Sequence, residues 1–129
     1  MENSKLFTGL QHIGVPTSDV DKTISFYETF GFEVEWSKGT APEDKVAFLK
    51  CGSFVIETYY SEAPALANGA IDHMAMDVSD IDAAYEYAAS KGYPSLEGKI
   101  TFLPFFANGV KFFTIQGPNM EKLEFNQKL

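Results

Sequence analysis

An internal repeat constrains this chain more than any other feature of its sequence. The segment HIGVPTSDVDKTISFYETFGF matches the later segment HMAMDVSDIDAAYEYAASKGY without a gap, at an offset of 61 residues. Each half has only about 60 residues, a marginal size for folding alone, so we expect the halves to pack as one unit. The identical pairs are His12/His73, Ser18/Ser79, Asp19/Asp80, Asp21/Asp82 and Gly31/Gly92.

The repeat predicts the same order of elements in each half. A short apolar strand leads into a helix that begins with a Ser-x-x-acid pattern and ends at a glycine, and three strands follow. The first half is predicted to have strands at 10–15, 32–36, 46–50 and 54–60, with its helix between 18 and 31. The second half is predicted to have strands at 71–78, 99–103, 110–115 and 122–126, with its helix between 79 and 92. The expectation is therefore an α+β fold in one domain, residues 1–129, made of two βαβββ modules at about 8–61 and 70–127.

The charge and the apolar content exclude several classes of partner. The formal net charge is -8 and no basic run is present, so neither nucleic acid nor an anionic membrane is an expected partner. No apolar stretch approaches the roughly 20 residues that cross a bilayer, and the opening MENSKLFTGLQ lacks the apolar segment of a secretory signal. The single cysteine, Cys51, excludes an intrachain disulfide and fits a reducing compartment. We expect a cytoplasmic protein.

Each half carries one histidine and, in its final strand, one glutamate. These residues are His12 with Glu57, and His73 with Glu124. Strand alternation predicts that they project among largely apolar neighbours, where an unpaired carboxylate costs several kcal/mol and a cation offsets that cost. Nitrogen and oxygen donors suit Zn, Ni, Co, Mn or Fe(II). The four residues predict one divalent metal site shared by the halves, although a lone strand histidine or glutamate is more often structural or solvent-facing.

Aromatic residues surround the last strands of the second half. Such a cluster most often belongs to the core, but its position beside a predicted ligand strand favours a contribution to an apolar pocket. The predicted pocket residues are Tyr59, Phe105, Phe106 and Phe113.

Four segments together resemble the vicinal oxygen chelate superfamily of glyoxalases, bleomycin resistance proteins and extradiol dioxygenases. They are HIGVPTSDVDKTISFYETFGFEV, FVIETYY, IDHMAMDVSDIDAAYEYAASKGY and GPNMEKLEFNQ, and they cover nearly the whole chain. The resemblance implies two modules paired into a cupped, partly open mixed β-sheet around one metal. The order His12, Glu57, His73, Glu124 resembles that of the metal ligands of glyoxalase I. In the last segment, Met120 stands where the family usually has a glycine.

The glyoxalase I-like branch implies a metal-dependent lyase or isomerase that acts on a small molecule with vicinal oxygens. Glu124 or Glu57 would be the catalytic base, and a homodimer is expected, with ligands from one chain or from two. Two positions depart from glutathione-using glyoxalases: Pro16 replaces an expected Arg, and Ser61 replaces an expected Asn. The alternatives are another metal-dependent member, such as an epimerase or oxygenase, and a metal-free binding or resistance protein.

Overall fold

A computed structural model describes residues 6, 8, 10–69 and 71–129. The remaining positions, including the start of the N-terminal segment and Ala70 at the expected start of the second module, lie outside the described residues. The first half contains β1 (Ile13–Thr17), α1 (Val20–Thr29), β2 (Glu33–Lys38), a short 3-10 turn (Pro42–Asp44), β3 (Val46–Cys51) and β4 (Phe54–Tyr60). The second contains β5 (Met74–Asp77), α2 (Ile81–Ser90), β6 (Thr101–Leu103), β7 (Val110–Gln116) and β8 (Lys122–Lys128).

Each half forms one mixed four-stranded sheet, which confirms the predicted pair of βαβββ modules. The strand orders are β1-β4-β3-β2 and β5-β8-β7-β6. The first strand of each half lies parallel to the last strand, and the other pairs are antiparallel. The helix crosses between the first two strands in sequence, so that parallel pairing becomes possible.

The first strand of each half begins three residues later than predicted. The strands expected from residues 10 and 71 begin at Ile13 and Met74, so His12 and His73 each precede a strand by one residue. In the first half, Ile13 lies opposite Ile56, close to the start of β4. Because the two strands are parallel, the residues before Ile13 have little of β4 left to pair with. The apolar pattern extends past the ladder, but the backbone pairing does not.

Aspartates begin both helices. Asp19 accepts a hydrogen bond from the Lys22 N–H at 3.0 Å, and Asp80 accepts one from the Ala83 N–H at 3.1 Å. The helix start therefore falls one residue later than the serine of the predicted Ser-x-x-acid pattern. A cap of this kind stabilises a helix by about 0.5–2 kcal/mol.

One apolar core spans both halves. Phe26 of α1 packs edge to face against Tyr93, with ring centroids 4.9 Å apart, and Phe30 lies 5.3 Å from Phe125. The helices and one face of each sheet therefore share this core, and the other face of each sheet lies away from it. This outer face of each sheet carries one histidine–glutamate pair.

Buried polar contacts tie α1 to the turn before β8. The hydroxyl of Tyr27 donates to Glu121 Oε2 at 2.8 Å, and Asn119 Nδ2 donates to Thr23 Oγ1 at 2.9 Å. Tyr27 is fully buried, and burial, followed by the nearby Glu121 charge, raises its pKa well above the ordinary value. The contacts fix the strand that carries Glu124 relative to the first half.

In the described part of the chain, every helix is too short or too polar to cross a membrane.

We predict that Tyr27→Phe lowers the free energy of unfolding by about 1–3 kcal/mol, because Glu121 loses a buried donor. Since folding raises the pKa of Tyr27, its contribution is present below the unfolded pKa of about 10 and is lost as pH rises through the folded pKa. Urea titrations between pH 7 and 11 measure this difference. Tyr85→Phe is the control, because its hydroxyl has no hydrogen bond with any described residue; an equal effect of both substitutions would contradict the prediction.

Candidate metal centre

The first histidine–glutamate pair lies at one end of the β1–β4 ladder. Gly14 is directly opposite Glu57, which places His12, two residues earlier, beside the carboxylate. His12 Nε2 lies 3.3 Å from Glu57 Oε1. The other ring nitrogen, Nδ1, lies 3.0 Å from Gln11 Oε1, and Phe48 packs edge to face on the imidazole.

The second pair repeats this geometry on the β5–β8 ladder. Ala75 is opposite Glu124, and His73 Nε2 lies 3.3 Å from Glu124 Oε1. His73 Nδ1 lies 3.0 Å from Asp72 Oδ2. Asn126 Nδ2 donates to Glu124 Oε2 at 2.9 Å, which leaves Oε1 as the oxygen nearer the histidine.

Both imidazoles have the orientation that metal-binding histidines use. An acceptor oxygen at Nδ1 favours the tautomer protonated there, so the Nε2 lone pair is free to bind an ion. The hydrogen bond with His73 lowers the pKa of Asp72 below its ordinary value. Two donor atoms that each lie about 2.0–2.2 Å from one ion are about 2.8–3.6 Å apart at angles of 90–110°, so each pair is spaced as two ligands would be.

The structure does not bring the two pairs together. Among residues 6, 8, 10–69 and 71–129, no three His, Cys, Asp or Glu side chains are placed to hold one metal ion. One chain therefore presents two separate histidine–glutamate pairs, each on its own sheet.

The two histidines and their neighbours are more exposed to solvent than the sequence predicted. The histidine side chains are 31% and 44% exposed, and the neighbouring Leu10 and Ile71 are 76% and 75% exposed. The prediction of apolar surroundings was wrong at these positions, because both histidines lie just outside the strands in which they were expected.

A cavity of about 650 Å³ lies over the open face of the second sheet, beside His73 and Glu124. Alternate residues of two neighbouring strands line it, as a pleated sheet requires. They are Val110, Phe112 and Thr114 of β7, and Lys122, Glu124 and Asn126 of β8. Leu96, Glu97, Leu103 and Phe105 line the rest of the wall, with Asp72.

The four predicted pocket residues lie in four different places. Phe105 lines the cavity, whereas Phe106 is exposed beneath the Lys128 ammonium, and Tyr59 lies on the other sheet. Phe113 as a pocket residue was wrong: it is fully buried in the core between Tyr85 and Phe125. Its neighbour Phe112 takes the cavity position, because successive side chains of a strand point to opposite faces.

Residues 9–125 match the family model of the glyoxalase/bleomycin resistance protein/dioxygenase superfamily. The chain belongs to this superfamily.

Three similar proteins each cover more than nine tenths of this chain. The uncharacterized protein YwbC of Bacillus subtilis (strain 168) is 32% identical over 127 residues, covering 92% of this chain and 97% of the relative. A glyoxalase family protein from Enterococcus faecalis has a TM-score of 0.74 and 25% identity over 94% of this chain and 98% of its own. The V278E mutant of glyoxalase I from Zea mays has a TM-score of 0.69 and 25% identity over 92% of this chain and 44% of its own. The superfamily thus includes enzymes such as glyoxalase I.

Sequence reasoning missed the residues that orient the two histidines and Glu124. Gln11 and Asp72 each precede a histidine, and their matching positions in the repeat were the signal that could have identified them. Asn126 follows Glu124 by two residues and so shares its face of β8. Polar side chains at these positions do not by themselves indicate a role, and only the fold shows which atoms they contact.

We predict that Phe113→Ala costs about 3–5 kcal/mol of unfolding free energy, whereas Phe112→Ala costs much less, because only Phe113 leaves a core cavity. Thermal and urea denaturation of the two matched variants measure the difference. Equal destabilisation by both would contradict the assignment of faces on β7.

Proposed function

We propose that this protein is a metal-dependent lyase or isomerase of the glyoxalase type, acting on a small substrate with vicinal oxygens. The observation that carries the proposal is the repeated pair geometry, with an imidazole Nε2 3.3 Å from a carboxylate oxygen in each half. His12, Glu57, His73 and Glu124 would be the ligands. The donor set of two nitrogens and two oxygens suits Zn, Ni, Co, Mn or Fe(II).

We infer that a complete site needs two copies of the chain, with one pair from each. Two ligands are too few for a stable site, and the two pairs of one chain lie on separate sheets. The open faces also carry exposed aromatic residues, among them Trp36 and Phe105. An isologous homodimer would join unlike sheets twice and so create two equal sites.

When bound, the metal supplies Lewis acidity that stabilises negative charge developing on the substrate oxygens. The side chains of this protein supply the proton transfer. Glu124 or Glu57 removes a proton from the carbon beside the carbonyl and returns it to the neighbouring carbon. A positioned base of this kind contributes roughly 10²–10⁴-fold to the rate.

The two departures from glutathione-using glyoxalases argue for another substrate. Pro16 lies in β1 opposite Tyr59 and offers neither charge nor an N–H. The hydroxyl of Ser61 accepts a hydrogen bond from the Ala63 N–H at 3.3 Å, so it serves the local turn. The apolar cavity walls favour a substrate with an apolar portion.

The second candidate is a metal-free small-molecule binding protein. The observation that favours it is the large cavity beside His73 and Glu124. Its wall contains more apolar side chains than a site for a metal ion alone would require. An epimerase or oxygenase would use the same ligands and differ in the substrate. A cytoplasmic location fits the free Cys51.

We predict one zinc ion per chain after chelation and reloading. His73→Ala should weaken the binding sharply, because three ligands then replace four. Calorimetric titration with elemental analysis measures both stoichiometry and affinity. Failure to take up Zn, Ni, Co, Mn or Fe(II) at micromolar concentration would remove the proposed metal chemistry.

Mixing two inactive variants tests whether the site is shared between copies. One variant lacks the first pair (His12→Ala, Glu57→Ala), and the other lacks the second (His73→Ala, Glu124→Ala). In a shared arrangement, half of the dimers re-formed from an equal mixture are hybrids with one intact site, so about one quarter of the wild-type zinc capacity returns. No recovery after co-refolding would place the site elsewhere, and each variant refolded alone is the control.

We predict weak turnover of the methylglyoxal–glutathione hemithioacetal, because the chain lacks the two side chains that hold glutathione. Assays with Ni-, Co- and Zn-loaded protein measure this. A kcat/KM of roughly 10⁴–10⁸ M⁻¹s⁻¹ would show that Pro16 and Ser61 are immaterial and that the protein is a glyoxalase I.

A further inference from the structure

The wall of the second-sheet cavity holds a carboxylate that is not one of the proposed metal ligands. Glu97 Oε1 accepts hydrogen bonds from the Thr114 N–H at 2.8 Å and from the Ser95 hydroxyl at 3.0 Å. The Leu96 N–H donates to the Thr114 carbonyl at 2.7 Å, so this segment lies along the edge of β7. The carboxylate therefore has a fixed position in the wall.

Glu97 and Glu124 face the same cavity from either side of β7. Thr114 lies directly opposite Glu124 in the β7–β8 ladder, and both side chains line the cavity. Because the N–H and carbonyl of Thr114 bond to the segment of Glu97, they point away from β8, and the Thr114–Glu124 pair is of the closely spaced type. One strand thus separates the two carboxylates.

Among the described residues of the cavity wall, Glu97 is the one carboxylate that lacks a partner cation. Lys122 Nζ lies 3.5 Å from Asp72 Oδ1, and Glu124 would share the metal. No Lys or His nitrogen in the described part of the chain lies within 4 Å of Glu97. Burial raises the pKa of Glu97, but the hydrogen bonds from Thr114 and Ser95 outweigh it and the net pKa is lowered, so the group is ionised at neutral pH.

We propose that Glu97 determines specificity in this cavity by binding an ammonium or other positively charged group on the apolar portion of the substrate. Phe105 and Phe112 supply aromatic surface in the wall of the same cavity, which also favours a cation. The substrate class is then a small amine-bearing molecule with vicinal oxygens rather than an anion. The inference rests on the proposed function in taking this cavity as the substrate site, but it does not require the metal.

The charge preference can be tested with three catechols whose side chains end in an ammonium, a neutral methyl group or a carboxylate. They are 4-(2-aminoethyl)catechol, neutral 4-ethylcatechol and 3-(3,4-dihydroxyphenyl)propionate, each titrated into chelated and zinc-loaded protein. Calorimetry gives the affinities, and the amide signal of Thr114 in NMR spectra reports binding at this wall. We expect the amine to bind roughly fivefold more tightly than the neutral compound, the size of an exposed ion pair, with the propionate weakest.

Glu97→Gln separates a charge-selecting role from a structural one. Its amide oxygen can still accept the Thr114 and Ser95 hydrogen bonds, while the charge is gone. We expect the three affinities to converge in this variant, and we expect 0.5 M salt to reduce the wild-type preference. Glu86→Gln is the matched control, because it removes the same charge from α2 and should leave the preference unchanged.

Each outcome decides the proposal. Convergence of the affinities in Glu97→Gln alone supports it. Equal wild-type affinities, a preference that survives in Glu97→Gln, or no saturable binding of the amine to either form of the protein overturns it. Failure to bind zinc would refute the metal chemistry alone, since the charge preference is also measured in chelated protein.

Discussion

Parallel pairing between the first and last strands of each half is the constraint on which the rest of the structure depends. In the first half it places Gly14 opposite Glu57, and in the second it places Ala75 opposite Glu124. Each histidine, two residues before the paired position, then falls beside the glutamate. A shift of one residue would turn every side chain of the moved strand to the other face and separate the pair.

The same pairing decides which face of each sheet is free. A parallel connection needs a crossover, and α1 and α2 supply it on one face of their sheets. The halves then pack through these helices, with Phe26, Phe30 and Tyr93 at the contact. The opposite faces, with the histidine–glutamate pairs and the cavity, remain open, and this is why the two pairs of one chain stay apart.

The cavity adds selectivity to the chemistry that the pairs would support. Its lining alternates along β7 and β8, so one residue of each neighbouring pair faces the core and the other faces the cavity. Phe113 and Phe112 show the rule, the first fully buried and the second in the cavity wall. Lys122 already pairs with Asp72, so it does not neutralise Glu97. The charge of Glu97 is therefore available to a positively charged group of a bound substrate.

The sequence by itself determined the module order, the helix ends and the four candidate ligands. The repeat and the local periodicity carry this information, because strand alternation, aspartate caps and terminal glycines act over a few residues. Only the tertiary structure decided how those residues meet. The strand register placed Phe113 in the core and brought His12 and His73 beside their glutamates, and the core shared by the two halves held the two pairs apart. Register and packing join residues distant in the chain, so no local pattern specifies them.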